Sequence, residues 1–269
     1  MYYLGIDIGT TSISFAVVDE RRQTVYTQSL AEDRFLPGQF PWERIQDVEK
    51  TISLILPRLN SLTERFSPIA AIGITGQMHG ILYTDREGRA ISPLYTWQDM
   101  RGAQADEQGL TAAEWLTCET GCPLSPGYGL VTHHYNRMHH LIPVQAAGIT
   151  TIGGYLGMIL TKRKTPLLHA SDAASLGAWE TAERRFALTD AFLPEVTCNS
   201  QFIGYTNQGI PVSVCLGDNQ ASFLGSVEWP EDSLLLNIGT GSQVSAYSPN
   251  YVRDATLKPG PIWTGHTCW

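Results

Sequence analysis

The chain has no apolar run long enough to cross a bilayer, no surplus of basic residues and no paired-cysteine pattern, and each absence removes a class of function. A membrane-spanning helix needs about 20 consecutive apolar residues. Although 43% of the 269 residues are hydrophobic, none gather into such a stretch. No basic-plus-apolar leader precedes Met1-Tyr2-Tyr3, so the cytoplasm is the expected compartment. With 18 Lys and Arg against 26 Asp and Glu, the net charge of −8 would repel a polyanion. Lys162-Arg163-Lys164 is a dense basic cluster, and a solvated turn after a helix accounts for it. Neither nucleic acid nor membrane is therefore an expected partner. Five cysteines, at 118, 122, 198, 215 and 268, are odd in number and scattered, unlike a secreted disulfide framework. Cys118 and Cys122 have no second pair at zinc-ligand spacing. A Walker A glycine-lysine loop and a dinucleotide fingerprint are both lacking.

What the chain does have is a polar corner between two apolar runs. Tyr2-Tyr3-Leu4-Gly5-Ile6 and Ile13-Ser14-Phe15-Ala16-Val17-Val18 read as strands, joined through Asp7-Ile8-Gly9-Thr10-Thr11-Ser12. Gly9, without a Cβ, admits close approach to the backbone. Thr10, Thr11 and Ser12 follow with hydroxyls, and Asp7 supplies a carboxylate. Such a corner suits a phosphate held by turn amides and hydroxyls, with Mg2+ or its waters held by Asp7. A hairpin with a polar tip is the plainer alternative. A second copy, from Leu236 to Tyr247, aligns with Ile6 to Val17 without a gap. Ile8, Gly9, Thr10, Ser12 and Ala16 recur there as Ile238, Gly239, Thr240, Ser242 and Ala246. Two such units predict two related lobes sharing one ligand, the second contributing Gly239, Thr240, Gly241 and Ser242.

Between the copies the pattern alternates strands and helices. Thr24 to Leu30 reads as a third strand. From Glu43, the positions Ile45, Val48, Ile52, Ile55, Leu56 and Leu59 follow a helical period, disturbed near Pro57. Ile69-Ala70-Ala71-Ile72-Gly73-Ile74 is a nearly unbroken apolar run, as in a strand buried on both faces. Straight after it, Gln77 and His79 stand where open α/β sheets bind ligands, each able to donate and accept. In Tyr95-Thr96-Trp97-Gln98-Asp99-Met100-Arg101 an aromatic face lies beside a carboxylate and a guanidinium. That set can grip a sugar by stacking and bidentate bonds, or be a surface ion pair. His133-His134 and His139-His140 miss the i,i+4 spacing of a zinc pair and read as a polar helix face. Ile152 to Leu160 reads as a buried helix in a glycine-rich contact. Pro211 to Leu216 is a compact strand that delivers Asp218 to a helix start. There Asp218 can cap the helix or orient a hydroxyl and take its proton, the helix end keeping it ionised.

These residues, in this order, resemble the FGGY carbohydrate kinases of the sedoheptulokinase and xylulokinase type, within the actin-like ATPase and sugar kinase superfamily. The resemblance implies an α/β, ribonuclease H-like lobe with a mixed central sheet flanked by helices over 1–231, and in 232–269 the start of a truncated nucleotide-binding domain. Gly76-Gln77-Met78-His79-Gly80 looks like the sugar-binding motif, which puts Met78 and His79 against the sugar beside Gln77. Trp97, Asp99 and Arg101 match a second sugar-side segment. Gly217-Asp218-Asn219-Gln220-Ala221 matches the catalytic-base motif, with Asp218 as base, and the segment around Asp172 lends support. By the same resemblance the γ-phosphate of ATP, with Mg2+, passes to a ketose hydroxyl; the partner is a small sugar and homodimerisation stays open. Two alternatives are a kinase for another polyol such as glycerol, and a kinase-derived sugar-binding or regulatory protein. Because relatives continue into a full second lobe, the chain is expected to bind sugar and to transfer phosphate poorly. An actin-like or chaperone-like ATPase has no use for Gln77-Met78-His79.

Overall fold

Apolar and small residues alternate at the start of the chain, and they fold as the antiparallel meander that alternation predicts: β1 (Tyr2–Ile8), β2 (Ser12–Asp19) and β3 (Thr24–Ala31). The computed structural model describes residues 1–238, 242–250, 260–263 and 266–268. A helix, α1 (Val48–Arg65), follows, capped by the Asp47 carboxylate, which accepts from the Lys50 amide. It starts later than the apolar period suggests because Ile45 and Gln46 pair instead with Leu94 and Tyr95 in a short antiparallel ribbon. It also runs through Pro57 rather than ending there. The apolar run then forms β4 (Ile69–Gly76), parallel to β1.

Next come α2 (Ala112–Thr120), α3 (Gly129–Met138), α4 (Ile152–Thr161) and α5 (Ala170–Ser175). The chain returns to the sheet as β5 (Phe202–Tyr205), β6 (Pro211–Ser213) and β7 (Leu216–Gly217), and leaves it in α6 (Asp218–Ser226). The central sheet runs β5-β6-β4-β1-β2-β3, with β7 also paired to β4. Strands β1, β4, β6 and β7 are parallel and the rest antiparallel, so the sheet is mixed.

One face of this sheet makes the core. Leu4, Ile6, Ile8, Ile72 and Ile74 pack there against Ile55, Leu59 and Leu62 of α1 and Ile152, Leu156 and Met158 of α4. Each such side chain contributes about 1.5–3 kcal/mol on burial. The expected glycine-rich contact of α4 exists: a Cβ on Gly153 would lie 2.3 Å from the Cys215 Sγ. A second cluster joins α2, α3 and α5 through Leu116, Leu130, Val131 and Leu176. Here the reading of the four histidines needs correction. His139 and His140 are exposed, but His133 is buried between Tyr83 and Asp190. Among the described residues no three His, Cys, Asp or Glu come together as a metal site. No described helix is long and apolar enough to cross a membrane.

The other sheet face, with Gly5, Asp7, Ser14, Gly73 and Thr75, borders an open cleft of about 600 Å³ flanked by α6. Beyond α6 a separate four-stranded sheet forms from β8 (Leu234–Ile238), β9 (Ser242–Ser248), β10 (Gly260–Trp263) and β11 (His266–Cys268). β8 and β9 pair antiparallel as β1 and β2 do. The repeated strand-turn-strand unit predicted from the sequence is thus a repeated pair of strands in the fold.

Candidate active site

Three parallel strands end in one row. Ile8 pairs with Gly76 and Gly217 pairs with the same Gly76, so the ends of β1, β4 and β7 lie side by side. From that row the chain departs into Gly9-Thr10-Thr11, Gln77-Met78-His79 and Asp218. Adjacent strands are about 4.8 Å apart, which sets the outer two exits roughly 10 Å from each other. The Gly9-Thr10-Thr11 corner, the Gln77-Met78-His79 loop and Asp218 therefore share one edge, the carboxyl edge at which open α/β sheets take ligands. Gly76 lets them close up: a Cβ there would come within 2.9 Å of the Ile8 carbonyl oxygen.

The first corner is held from beneath. The fully buried Arg34 donates through Nη2 to the carbonyls of Gly9 at 2.5 Å and Thr10 at 3.2 Å. Gln46, also fully buried, donates to the Thr10 carbonyl at 2.8 Å and accepts from Gln77 Nε2 at 2.9 Å. Thr10 Oγ1 in turn donates to Gln77 Oε1 at 3.4 Å. The corner and the Gln77-Met78-His79 loop are one hydrogen-bonded unit, and Gln77, buried in its centre, is the tie.

His79 has a positive φ of 72°, unusual for a residue with a side chain. Its amide donates to Ser175 Oγ at 3.0 Å, its Nδ1 donates to the Ser175 carbonyl at 2.6 Å, and its ring stacks on Tyr128 at 4.7 Å. Those contacts fix the imidazole plane and put its second proton, when it has one, on Nε2. Met78 is buried against Gly217, where a Cβ would meet its Sδ at 3.1 Å. The Gln77-Met78-His79 loop thereby touches the strand that carries Asp218.

Asp218 is half-buried at the first position of α6. The helix end was expected to keep it ionised; burial, helped by the charge of Asp7, pushes its carboxyl up to about 6 against a lowering bond from the Asn219 amide, which still leaves it mostly ionised at neutral pH. Desolvation outweighs the helix N-terminus here. Burial also raises Asp7, which has no ion-pair partner among the described residues. Behind them Asp172 is fully buried, accepts from Thr151 Oγ1 at 2.6 Å, and is pushed up to about 7 by burial and, less, by the charge of Asp218. Three carboxyls thus gather behind one cleft edge. Asp7 and Asp218, neither ion-paired among the described residues, and the Thr10 and Thr11 amides, which donate to no described group, suit a phosphate with a divalent cation.

Comparison with known proteins gives this geometry a family. Residues 2–225 match the model of the FGGY family of carbohydrate kinases, N-terminal domain. The chain belongs to the FGGY family of carbohydrate kinases. It is 28% identical over 290 residues to mouse sedoheptulokinase, covering 91% of this chain and 59% of that protein. A ligand-bound xylulose kinase from Lactobacillus acidophilus superposes with a TM-score of 0.81 at 17% identity, over 99% of this chain and 59% of that one. Plasmodium falciparum glycerol kinase with ADP superposes at 0.71 and 18% identity, over 93% and 54%. The chain therefore spans a little over half the length of these relatives, and the α/β fold is that of the sugar kinases.

Within this FGGY lobe the remaining predicted residues divide. Trp97 is 46% exposed and donates through Nε1 to Thr10 Oγ1 at 3.0 Å, so its ring stands at the corner. Asp99 and Arg101 were expected to face the sugar, yet both are buried. Arg101 donates through Nε to Asp99 Oδ1 at 2.7 Å and through Nη1 to Asn136 Oδ1 at 2.6 Å, and lies over the Tyr95 ring at 4.2 Å. Asp99 also accepts from the Arg44 amide at 3.0 Å. A pair so fully engaged braces the Trp97 segment. Of the second corner, Gly239, Thr240 and Gly241 lie outside the described residues, and Ser242 is described only as the first residue of β9. Sequence reasoning missed Arg34 and Gln46, and gave no role to Ser171, whose Oγ accepts from the Gly217 amide at 3.0 Å and so ties α5 to the base strand.

Proposed function

We propose that this chain is the sugar-binding lobe of an ATP-dependent carbohydrate kinase acting on a ketose of the sedoheptulose or xylulose type. The observation that carries the proposal is the row Ile8, Gly76, Gly217, from which corner, loop and carboxylate emerge together. In this reading the amides and hydroxyls of Gly9, Thr10, Thr11 and Ser12, with the second corner Gly239, Thr240, Gly241 and Ser242, hold the phosphates of ATP. Gln77, Met78, His79 and Trp97 hold the sugar, with Asp99 and Arg101 bracing the last. Asp218 orients the attacking hydroxyl. The hydroxyl oxygen bonds to the γ-phosphorus, the bond to the β–γ bridging oxygen breaks, and ADP leaves with that electron pair. The hydroxyl proton ends on Asp218. A carboxyl near 6 is a better proton acceptor than an ordinary aspartate and is still mostly ionised at neutral pH.

Mg2+ fits the donor set, because Asp7 is a half-buried carboxylate without a cationic partner among the described residues. It would be held by Asp7 through water and would neutralise charge on the phosphates. The cation would offset the burial that raises the Asp7 carboxyl and so favour its ionised form.

A panel of sedoheptulose, xylulose and glycerol with MgATP tests the proposal directly. Phosphorylation of a ketose is expected, and Asp218→Asn should cut turnover by about 100-fold or more while calorimetry shows sugar affinity kept. Turnover by Asp218→Asn equal to that of the parent chain sinks the assignment of the base. Sugar binding with no MgATP binding would favour a non-catalytic sugar-binding protein.

A further inference from the structure

The strongest unexplained group in the molecule is Arg34. Its side chain is 1% exposed, its Nε has no hydrogen-bond partner, and no carboxylate pairs with it among the described residues. A buried guanidinium without a counter-charge is costly, and such a group normally finds an anion or is replaced. All its described bonds go to neutral acceptors: the carbonyls of Gly9 and Thr10, and Thr51 Oγ1 at 3.5 Å. Two of those acceptors belong to the corner itself.

The direction of these bonds matters. In a trans peptide the C=O and N–H point opposite ways. The Gly9 carbonyl shares its peptide with the Thr10 amide, and the Thr10 carbonyl shares its peptide with the Thr11 amide. With both carbonyls turned inward onto Arg34, both amides are turned away from it, and neither donates to a described group. A cation on the carbonyl end also polarises each peptide and strengthens its N–H as a donor, the more so in a dry interior. Gln46 pulls the Thr10 carbonyl the same way.

We propose that Arg34 is the positioning residue of the first Gly-Thr corner and the buried counter-charge for the polyphosphate that docks on its outer side. It acts through the two peptides, not by touching the ligand. This rests on the reading of the corner as a phosphate site. The empty-handed guanidinium has its anion supplied from outside, and the ordering of the corner needs no ligand because the buried bonds already set it.

Calorimetry on the full chain with tripolyphosphate as probe, and with sedoheptulose as control, tests the assignment. Arg34→Gln keeps a donor and removes the charge, and should weaken tripolyphosphate about tenfold or more. Arg34→Lys keeps the charge without the guanidinium fork and should lose clearly less affinity than Arg34→Gln. Sedoheptulose affinity should change by less than about twofold in both, since the charge faces the phosphate corner. A folded Arg34→Gln that binds tripolyphosphate like the parent overturns the proposal, and so does an equal loss of both ligands. Should the parent itself bind no tripolyphosphate, the phosphate reading of the corner fails and this proposal with it. Should Arg34→Gln not fold, nitrogen NMR of the arginine-labelled parent decides. A shift of the Arg34 Nε–H resonance on saturation with tripolyphosphate supports the role, and an unmoved resonance overturns it.

Discussion

Asp7 and Asp218 stand at the ends of the two strands that flank β4, and the charge of Asp7 makes ionising Asp218 harder. Burial is the larger cause of the rise at Asp218 and Asp7 the smaller, so the two can be separated by removing one. Asp7→Asn should lower the Asp218 pKa from about 6 towards the ordinary value without restoring it fully, because desolvation remains. Carbon NMR of the aspartate carboxyls through a pH titration reads this, and an Asp218 midpoint that does not fall would show that burial alone sets it. At this scale the sequence was readable in the placement of Gln77, Met78, His79 and Asp218 after strand ends, which the fold brings to one edge. It was not readable at Arg34, which stands between Asp33 and Phe35 and looks like part of a charged loop. Its burial depends on the Gly9 and Thr10 carbonyls, far away in the chain, and no local pattern announces that. Asp99 and Arg101 misled for the related reason that a surface pair and a buried one have the same spacing.

Among the elements, α4 shows most sharply how packing sets the site. It lies against Cys215, in the link between β6 and β7 two residues before Gly217, and approaches only because Gly153 has no side chain. Adding a methyl would favour the helix by up to about 1 kcal/mol, but a Cβ placed 2.3 Å from a buried sulfur must push α4 or the base strand aside. Overpacking of that kind costs about 1–3 kcal/mol, so the clash wins. Gly153→Ala is expected to lower the melting temperature by several degrees, as scanning calorimetry would record; a rise would mean the Cys215 segment yields freely. The apolar runs that became β1, β4 and α4 were legible because alternation, continuity and helical period each match one kind of burial. The start of α1 was not, since Ile45 and Gln46 fit a helical period and are captured by Leu94 and Tyr95 instead. The buried position of His133 was likewise set by Tyr83 and Asp190, elements away from its own helix.

For the whole molecule, buried titratable groups of two kinds pull the pH dependence of stability in opposite directions. Asp172 and Asp218 titrate in the folded chain near 7 and 6, above the ordinary 3.8 of an aspartate. From about pH 4 upward the folded chain therefore holds protons that the unfolded chain has released, and stability falls as pH rises through that window. His133 and His169 are buried and lowered to about 4 from an ordinary 6.5. The unfolded chain binds their protons first, so stability falls as pH drops below 6.5. Between about pH 4 and 6.5 the two pairs offset each other and the profile should be shallow; just above it Asp172 alone of the four is still losing its proton. Asp172→Asn removes one carboxyl from the balance, leaving the histidines to dominate. Its urea midpoint should climb more steeply than the parent's from about pH 4.5 to 6.5, and should not decline above that. Parallel profiles for the two proteins would mean that Asp172 is no more protonated in the folded chain than in the unfolded one. The same measurement bears on the site, because Asp172 lies behind Asp218 and the negative charge of Asp218 is one cause of the reluctance of Asp172 to ionise. A fold that buries carboxyls behind its strand ends, and keeps Asp172 half-neutral near pH 7, loses a little stability there, and in return holds a raised carboxylate, Asp218, at the cleft edge proposed for phosphate and sugar.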